Sequence, residues 1–363
     1  MKRVLHIIAE LGIGGAEKVA LDLGLYMKEH GYESHYIVFG DAVGDYETIL
    51  TAQGQCVFHL QSPGKNYLRF YNEVMALIKK NRYNVVHAHT MFNCGIAMLA
   101  AHRAGVPVRI SHAHSALYDQ SRLSRKIYEA AMQKLIWRHS TNCVACGTAA
   151  GARLFGEKAF EKGCQLILNG VDTERFRFSE ESRCRIRTEL GLEKSFVIGH
   201  AGRLVEVKNQ QFLIRLLPEI LKKRPESKLL LLGDGEDKQQ LDRLVRELKL
   251  ESEVIRPGNV LNVYDYLSAM DVFAFPSLYE GMPLSIIEVQ SNGLPCVLST
   301  GIPKDVYLTD LVHPLPLDKP FAWVETICSA QRSEPEKYAD ELKVKGFDIE
   351  AVMQKFMEIY ERA

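Results

Sequence analysis

Glu280 and Glu288, with seven residues between them, bracket the segment Glu280-Gly281-Met282-Pro283-Leu284 that carries a predicted strand end into a predicted helix. Proline suits a first helical turn, and the unpaired backbone N–H groups of a helix start can hold an anion. Glu288, a turn or so inside that helix, is placed to accept hydrogen bonds from ribose hydroxyls. Glu280 in the loop can face another part of the same ligand. On residue types alone, two helix-capping acids on a surface is an equally open reading.

Three further places combine suitable residues with a suitable position. Gly12, Gly14 and Gly15 follow the first predicted strand and precede a helix, where the chain can turn tightly and approach a bound group. Their spacing is not G-x-G-x-x-G, so no dinucleotide cofactor is expected. Gly202 precedes Arg203 and Lys208 and relieves crowding where backbone meets a ligand; a solvated helix start is the alternative. His112 and His114 close the predicted strand 108–111, and His87 and His89 close the one before it, at the ends that open onto ligand crevices in parallel sheets. Ordinary strand-end histidines would look the same. Cys143-Val144-Ala145-Cys146 has no second pair at metal spacing, and the eight cysteines are expected to be reduced core thiols.

These residues must be positioned by a large frame. At 363 residues the chain is long enough for two domains. Hydrophobic residues at 47% and charged residues at 25% describe a globular protein, and 45 basic side chains balance 45 acidic ones, so no overall field favours nucleic acid. Short β-branched runs (4–9, 34–39, 56–60, 85–88, 108–111, 143–145) alternate with helical patterns (16–29, 68–79, 96–103, 124–137). The rhythm resumes with strands at 196–200, 228–232, 254–256, 272–275 and 296–298 and helices at 209–222, 237–248 and 284–290. The fold class expected is α/β, two Rossmann-like domains of parallel sheet.

A turn-rich stretch at 169–176 is the linker, with the boundary near 172: one domain over 1–172, a second over 173–345, and a terminal helix within 346–363. Val352, Phe356 and Ile359 give that helix an apolar face, and return to the first domain is one place for it to pack. The first apolar run is too short for a signal peptide or a membrane helix and no later run is long enough, which places the protein in the cytoplasm. The segment 121–138 interleaves Arg122, Arg125, Lys126, Lys134 and Arg138 with Leu123, Ile127, Tyr128 and Trp137. It is either a helix docking on the inner face of a membrane or an amphipathic helix covering its own sheet.

Taken in order, Gly12-Ile13-Gly14-Gly15-Ala16-Glu17, Asn169-Gly170-Val171-Asp172, Gly202-Arg203-Leu204 with Lys208-Asn209, and the Glu280 to Glu288 element resemble the retaining glycosyltransferases of family four, with the GT-B fold, especially the polysaccharide-biosynthesis members. The resemblance spans nearly the whole chain. It implies two domains facing a cleft, the acceptor on the first and a nucleotide-sugar donor, a UDP-sugar first among candidates, on the second. It implies that Arg203 and Lys208 contact the donor phosphates, Glu280 orients the sugar or phosphate region, Glu288 anchors the ribose, and His112 or His114 touches the sugar. Gly14 and Gly15 would lie near the transferring phosphate or the acceptor, Gly233 of Gly233-Asp234-Gly235-Glu236 and the pair Asn259 and Val260 beside the base or ribose, and Gly281, Met282, Pro283 and Leu284 along the donor.

The expected reaction is transfer of a hexose-type sugar to a glycan or lipid-linked saccharide in surface or capsular polysaccharide synthesis, with retention. No Asp-x-Asp pair is present to hold a divalent ion on the diphosphate, so cationic side chains are expected in place of a metal. A nucleotide-sugar epimerase and a non-catalytic nucleotide-sugar-binding subunit are the rival functions. The segments 289–295 and 301–305 depart from the family pattern, which bears on the sugar rather than on the reaction.

Overall fold

The computed structural model describes residues 2–12, 14–64, 66–115 and 123–363, and the chain divides into two compact units, Met1–Asn169 with Glu350–Ala363 and Gly170–Ile349. The sequence placed these divisions at 172/173 and 345/346.

The first unit is built on seven parallel strands: β1 (Lys2–Ile7), β2 (Tyr32–Phe39), β3 (Cys56–Leu60), β4 (Val85–Ala88), β5 (Val108–Ala113), β6 (Asn142–Ala145) and β7 (Gln165–Leu166). Their order across the sheet is β3-β2-β1-β4-β5-β6-β7. The second unit has six: β8 (Phe196–Ala201), β9 (Ser227–Leu232), β10 (Val254–Gly258), β11 (Val272–Phe275), β12 (Cys296–Ser299) and β13 (Val312–Leu315), in the order β10-β9-β8-β11-β12-β13. Strands buried on both faces read as continuous apolar runs, as Leu229-Leu230-Leu231-Leu232 and Val272-Phe273-Ala274-Phe275 do. In each sheet the strand order reverses once, between β1 and β4 and between β8 and β11. Loops diverge there at the carboxyl ends of the strands and leave room for a ligand.

Helices beyond those expected from the sequence include Asp45–Ala52, Thr148–Phe155, Glu180–Leu190, Pro320–Ser329 and Lys337–Val344. Glu180–Leu190 has a thin apolar stripe, burying only Ile186 and Arg187. Arg187 is held there by the Ala269 carbonyl at 2.9 Å and by Asp271 at 3.2 Å. Strand β5 runs to Ala113, two residues past the predicted end, so His112 lies inside it.

The terminal helix Ile349–Tyr360 belongs to the first unit, with Val352, Met353, Phe356, Ile359 and Tyr360 buried. The two segments joining the units pair with each other: Val171 N–H donates to the Phe347 carbonyl at 2.9 Å, Ile349 N–H to the Val171 carbonyl at 2.8 Å, and the Thr173 hydroxyl to Asp348 at 2.6 Å. All eight cysteines are free. Cys56 and Cys184 are exposed, against the expectation of core thiols, while burial pushes Cys143 and Cys146 up to about 12. Thiols held protonated in this way are poor nucleophiles.

Candidate active site

At the reversal between β8 and β11, Lys208 and Glu280 meet. Lys208 stands at the end of the turn after β8 and Glu280 in the loop after β11, and Nζ lies 2.7 Å from Oε1 with 18% and 15% of the side chains exposed. The ammonium also sits 4.8 Å from the centre of the Phe275 ring, a favourable site for a cation. Asn209 adopts the left-handed conformation (φ 54°), which asparagine tolerates, starts the helix Gln210–Lys223, and donates to the Pro276 carbonyl at 3.2 Å. Leu278 N–H donates to the Val207 carbonyl at 2.8 Å. The loops after β8 and β11 are thereby fastened to each other.

Arg203 behaves differently. Its side chain is 63% exposed and among the described residues reaches only Glu236, at 3.5 Å. The backbone beneath it is fixed, because Leu204 N–H donates to the Asp234 carbonyl and Asp237 N–H to the Leu204 carbonyl, both at 3.0 Å. Here the turn Gly233-Asp234-Gly235-Glu236 has a visible role. A Cβ on Gly233 would lie 2.2 Å from the Gly202 carbonyl oxygen, and one on Gly235 2.3 Å from that of Leu204. Only glycine lets the two turns stack backbone on backbone.

Below them His200 is fully buried, with Nδ1 3.0 Å from the Ala274 carbonyl and Nε2 3.3 Å from the Gln210 amide. Burial, with Lys208 nearby, lowers its pKa to about 4, so the ring is neutral at neutral pH. The helix Leu284–Ser291 starts behind Pro283, and no side chain among the described residues caps it. Glu288 is half-buried one turn in. Asn259 and Val260 follow β10 at the same end of the sheet.

In the first unit, the helix Gly15–Glu29 opens at Gly14 without a side-chain cap among the described residues. A Cβ on Gly12 or Gly15 would meet nothing within 4 Å, whereas one on Gly14 would strike the Glu17 carboxylate. Burial holds Glu17 above the ordinary carboxylate range, and Glu10 adds to the effect.

Histidines dominate the reversal between β1 and β4. Period-two alternation puts His87 and His89 on one face, and His112 and His114 on the same face beside them. The register sets His6 of β1 against His87. Two edge-to-edge rows result. In one, Tyr360 Oη lies 2.8 Å from His87 Nδ1, and His87 Nε2 lies 3.2 Å from His112 Nδ1. In the other, His6 Nδ1 lies 3.3 Å from His89 Nε2, and His89 Nδ1 lies 2.8 Å from His114 Nε2. The rows stack, with His87 over His89 at 4.2 Å and His112 over His114 at 3.9 Å. Phe356 of the terminal helix covers His87 and His112 at 5.6 and 5.4 Å. Burial, reinforced by neighbouring imidazoles, pushes His87, His89 and His112 well below their ordinary pKa, and burial alone takes His6 and His114 to about 3.

The sets His6, His87, His89 and His89, His112, His114 each bring ring nitrogens within 4.8 Å, close enough to share a metal ion. The edge-to-edge nitrogens nevertheless lie 2.8 to 3.3 Å apart, the separation of a direct hydrogen bond between two rings. The arrangement is that of hydrogen-bonded imidazoles. Of the two histidines singled out in the sequence, His112 is buried and His114 half-buried.

Two parallel α/β sheets in one chain, each bearing its polar side chains at the reversal of strand order, define the GT-B class. The family described as Glycosyltransferase Family 4 matches residues 13–175, and that described as Glycosyl transferases group 1 matches residues 195–329. EpsF of Bacillus subtilis (strain 168) is 31% identical over 369 aligned residues, spanning 99% of this chain and 96% of that protein. The capsular polysaccharide biosynthesis glycosyltransferase CapH of Staphylococcus aureus is 26% identical over 99% of both chains. HepE from Anabaena, solved in complex with UDP-glucose, superposes with a TM-score of 0.79 at 20% identity over 100% of both chains. The chain belongs to the family 4 glycosyltransferases.

Not every polar residue of these sites is legible in the sequence. His6, His200, Gln210 and Tyr360 carry no local signal of a site. The His-x-His pairs in adjacent predicted strands were the available signal for a shared face; nothing local to Tyr360 pointed to them.

Proposed function

We propose that this glycosyltransferase moves a hexose-type sugar from a UDP-sugar, with retention, to a glycan or lipid-linked saccharide in surface or capsular polysaccharide synthesis, without a catalytic metal. The observation that carries the reading is the Lys208–Glu280 pair with Arg203 on the adjoining turn. Parting the sugar–phosphate bond leaves negative charge on the nucleoside diphosphate, and a preorganised cation stabilises that charge as it develops. Lys208 is held in place before any ligand arrives, and Arg203 is exposed and able to reach one. The helix start at Leu284, without a side-chain cap among the described residues, adds backbone N–H groups, and Glu288 behind it takes the ribose hydroxyls. Glu280 orients the sugar or phosphate region, and a histidine at the end of β5 touches the sugar.

CapH's role in capsule synthesis and the UDP-glucose bound by HepE support the polymer and the donor class. Leu123 and Ile127, 74% and 64% exposed beside Arg125 and Lys126, support docking of the helix Leu123–His139 on an anionic membrane face from the cytoplasm, where lipid-linked acceptors would be met. Ser121 and Arg122 of that basic stretch lie outside the described residues. No helix among the described residues is long and apolar enough to cross a membrane.

The test is a panel of UDP-, GDP- and ADP-sugars scored by protection against thermal unfolding, where a donor at 100 times its dissociation constant adds roughly 2.7 kcal/mol. Turnover is then measured with extracted glycan and lipid acceptors before and after chelation, and product stereochemistry by NMR. Activity lost on chelation and restored only by magnesium or manganese would refute the metal-free reading.

A further inference from the structure

We infer that Tyr360 and His87 are positioning residues that fix His112 as a hydrogen-bond donor, through Nε2–H, to an oxygen of the bound saccharide. The contact itself rests on the proposed function, with His112 taken as the strand-end histidine that meets the sugar; the tautomer does not.

The assignment follows from counting protons along the buried row. Among the described residues the Tyr360 hydroxyl has one hydrogen-bond partner, His87 Nδ1. A neutral imidazole carries one N–H and one lone pair. If the phenol donates to Nδ1, His87 must carry its proton on Nε2 and donate to His112 Nδ1, and His112 must then carry its own proton on Nε2. One group is left without a partner, the His112 Nε2–H, and that nitrogen is buried and unpartnered among the described residues in a side chain 1% exposed.

The opposite direction is worse. With His87 donating to the phenol oxygen and His112 donating to His87, the phenol proton and the His112 Nε2 lone pair are both stranded. Buried donors are seldom left unsatisfied. The row ends in one orphan N–H at the carboxyl end of β5, without an acceptor among the described residues, and a saccharide hydroxyl or ring oxygen that reached it would supply one. Burial keeps the imidazoles of the row neutral and the phenol protonated. The parallel row has no such anchor: His6 Nε2 and His114 Nδ1 are both unpartnered among the described residues, so its direction is not imposed from either end.

The test is nitrogen NMR of full-length protein labelled with 15N-histidine and carrying no oligohistidine tag. In the wild type, His112 should show a protonated Nε2 and an unprotonated Nδ1. In Tyr360→Phe, which keeps the ring and loses the hydroxyl, the two His112 signals should move toward each other as the tautomers mix. A wild-type His112 protonated on Nδ1, a His112 unchanged by Tyr360→Phe, or one equivalent of zinc bound to the cluster would each overturn the relay; the first and third are read without any variant. The contact is tested by adding the sugar nucleotide that protects most in the donor panel, and separately UDP. A shift of His112 Nε2 with the sugar nucleotide and not with UDP supports it, and an equal shift with both, or none with a protecting donor, overturns it. A panel in which no donor protects would overturn the proposed function and the contact together, while the tautomer result would stand by itself.

Discussion

Lys208 Nζ and Glu280 Oε1, 72 residues apart in sequence, lie 2.7 Å apart at the carboxyl ends of neighbouring strands. The pair is mostly shielded from solvent, so each member holds the other in place. Lys208→Ala should lower kcat about 10²- to 10³-fold, the usual loss for one preorganised transition-state donor. It should also destabilise the fold, because Glu280 is left without its partner. Adding Glu280→Gln should recover part of the stability and none of the rate. Thermal melts and single-turnover rates of the two single variants and the double variant decide this.

Arg203 makes the complementary case. Its ion pair with Glu236 is long and solvent-exposed, so Arg203→Ala should change unfolding free energy by less than about 0.5 kcal/mol. Donor turnover should nevertheless fall roughly 10²-fold. A variant that melted early, or that kept full turnover, would contradict the division of labour between the two cations.

Glycines that look alike in sequence should respond in opposite ways. Gly233→Ala forces a methyl into the Gly202 carbonyl at a left-handed φ of 126°, and should cost roughly 2–4 kcal/mol by combined overpacking and backbone strain. Gly15→Ala meets open space and should leave the melting temperature unchanged, and any loss of activity it causes would report on a ligand. Urea titration followed by activity assay separates the two.

His200 should make the second unit sensitive to acid. Its pKa falls from 6.5 to about 4 on folding, so below 6.5 the unfolded chain binds a proton that the folded chain does not. Stability contributed by the neutral ring is therefore complete above 6.5 and is lost as pH falls toward 4, at up to about 1.4 kcal/mol per pH unit. His200→Gln should show a shallower decline by one proton, measured by urea unfolding between pH 7 and 4.5 with Trp323, buried in the second unit, as reporter.

Local pattern revealed the strands and the loops that carry the site. The runs at 85–88 and 272–275 coincide with β4 and β11 because buried parallel strands are apolar throughout. Glu280, Glu288, Arg203 and Lys208 stood out because acids and bases beside predicted strand ends have few reasons to be there. What escaped notice depends on long-range contact. The Lys208–Glu280 bond needs β8 and β11 to be neighbours, which no window of sequence states. Gly233 reads as an ordinary turn until the Gly202 carbonyl is found against it. Helices such as Glu180–Leu190 carry too thin an apolar face to be seen by periodicity.

Residues 350–363 complete the first unit, although they follow the whole of the second in sequence. Phe356 and Tyr360 close over imidazoles laid down near the start of the chain. During synthesis the second unit, continuous from Gly170 to Ile349, has all its residues available before the first can bury its histidines. Residues 1–169 must wait, with their imidazoles uncovered, for the helix Ile349–Tyr360.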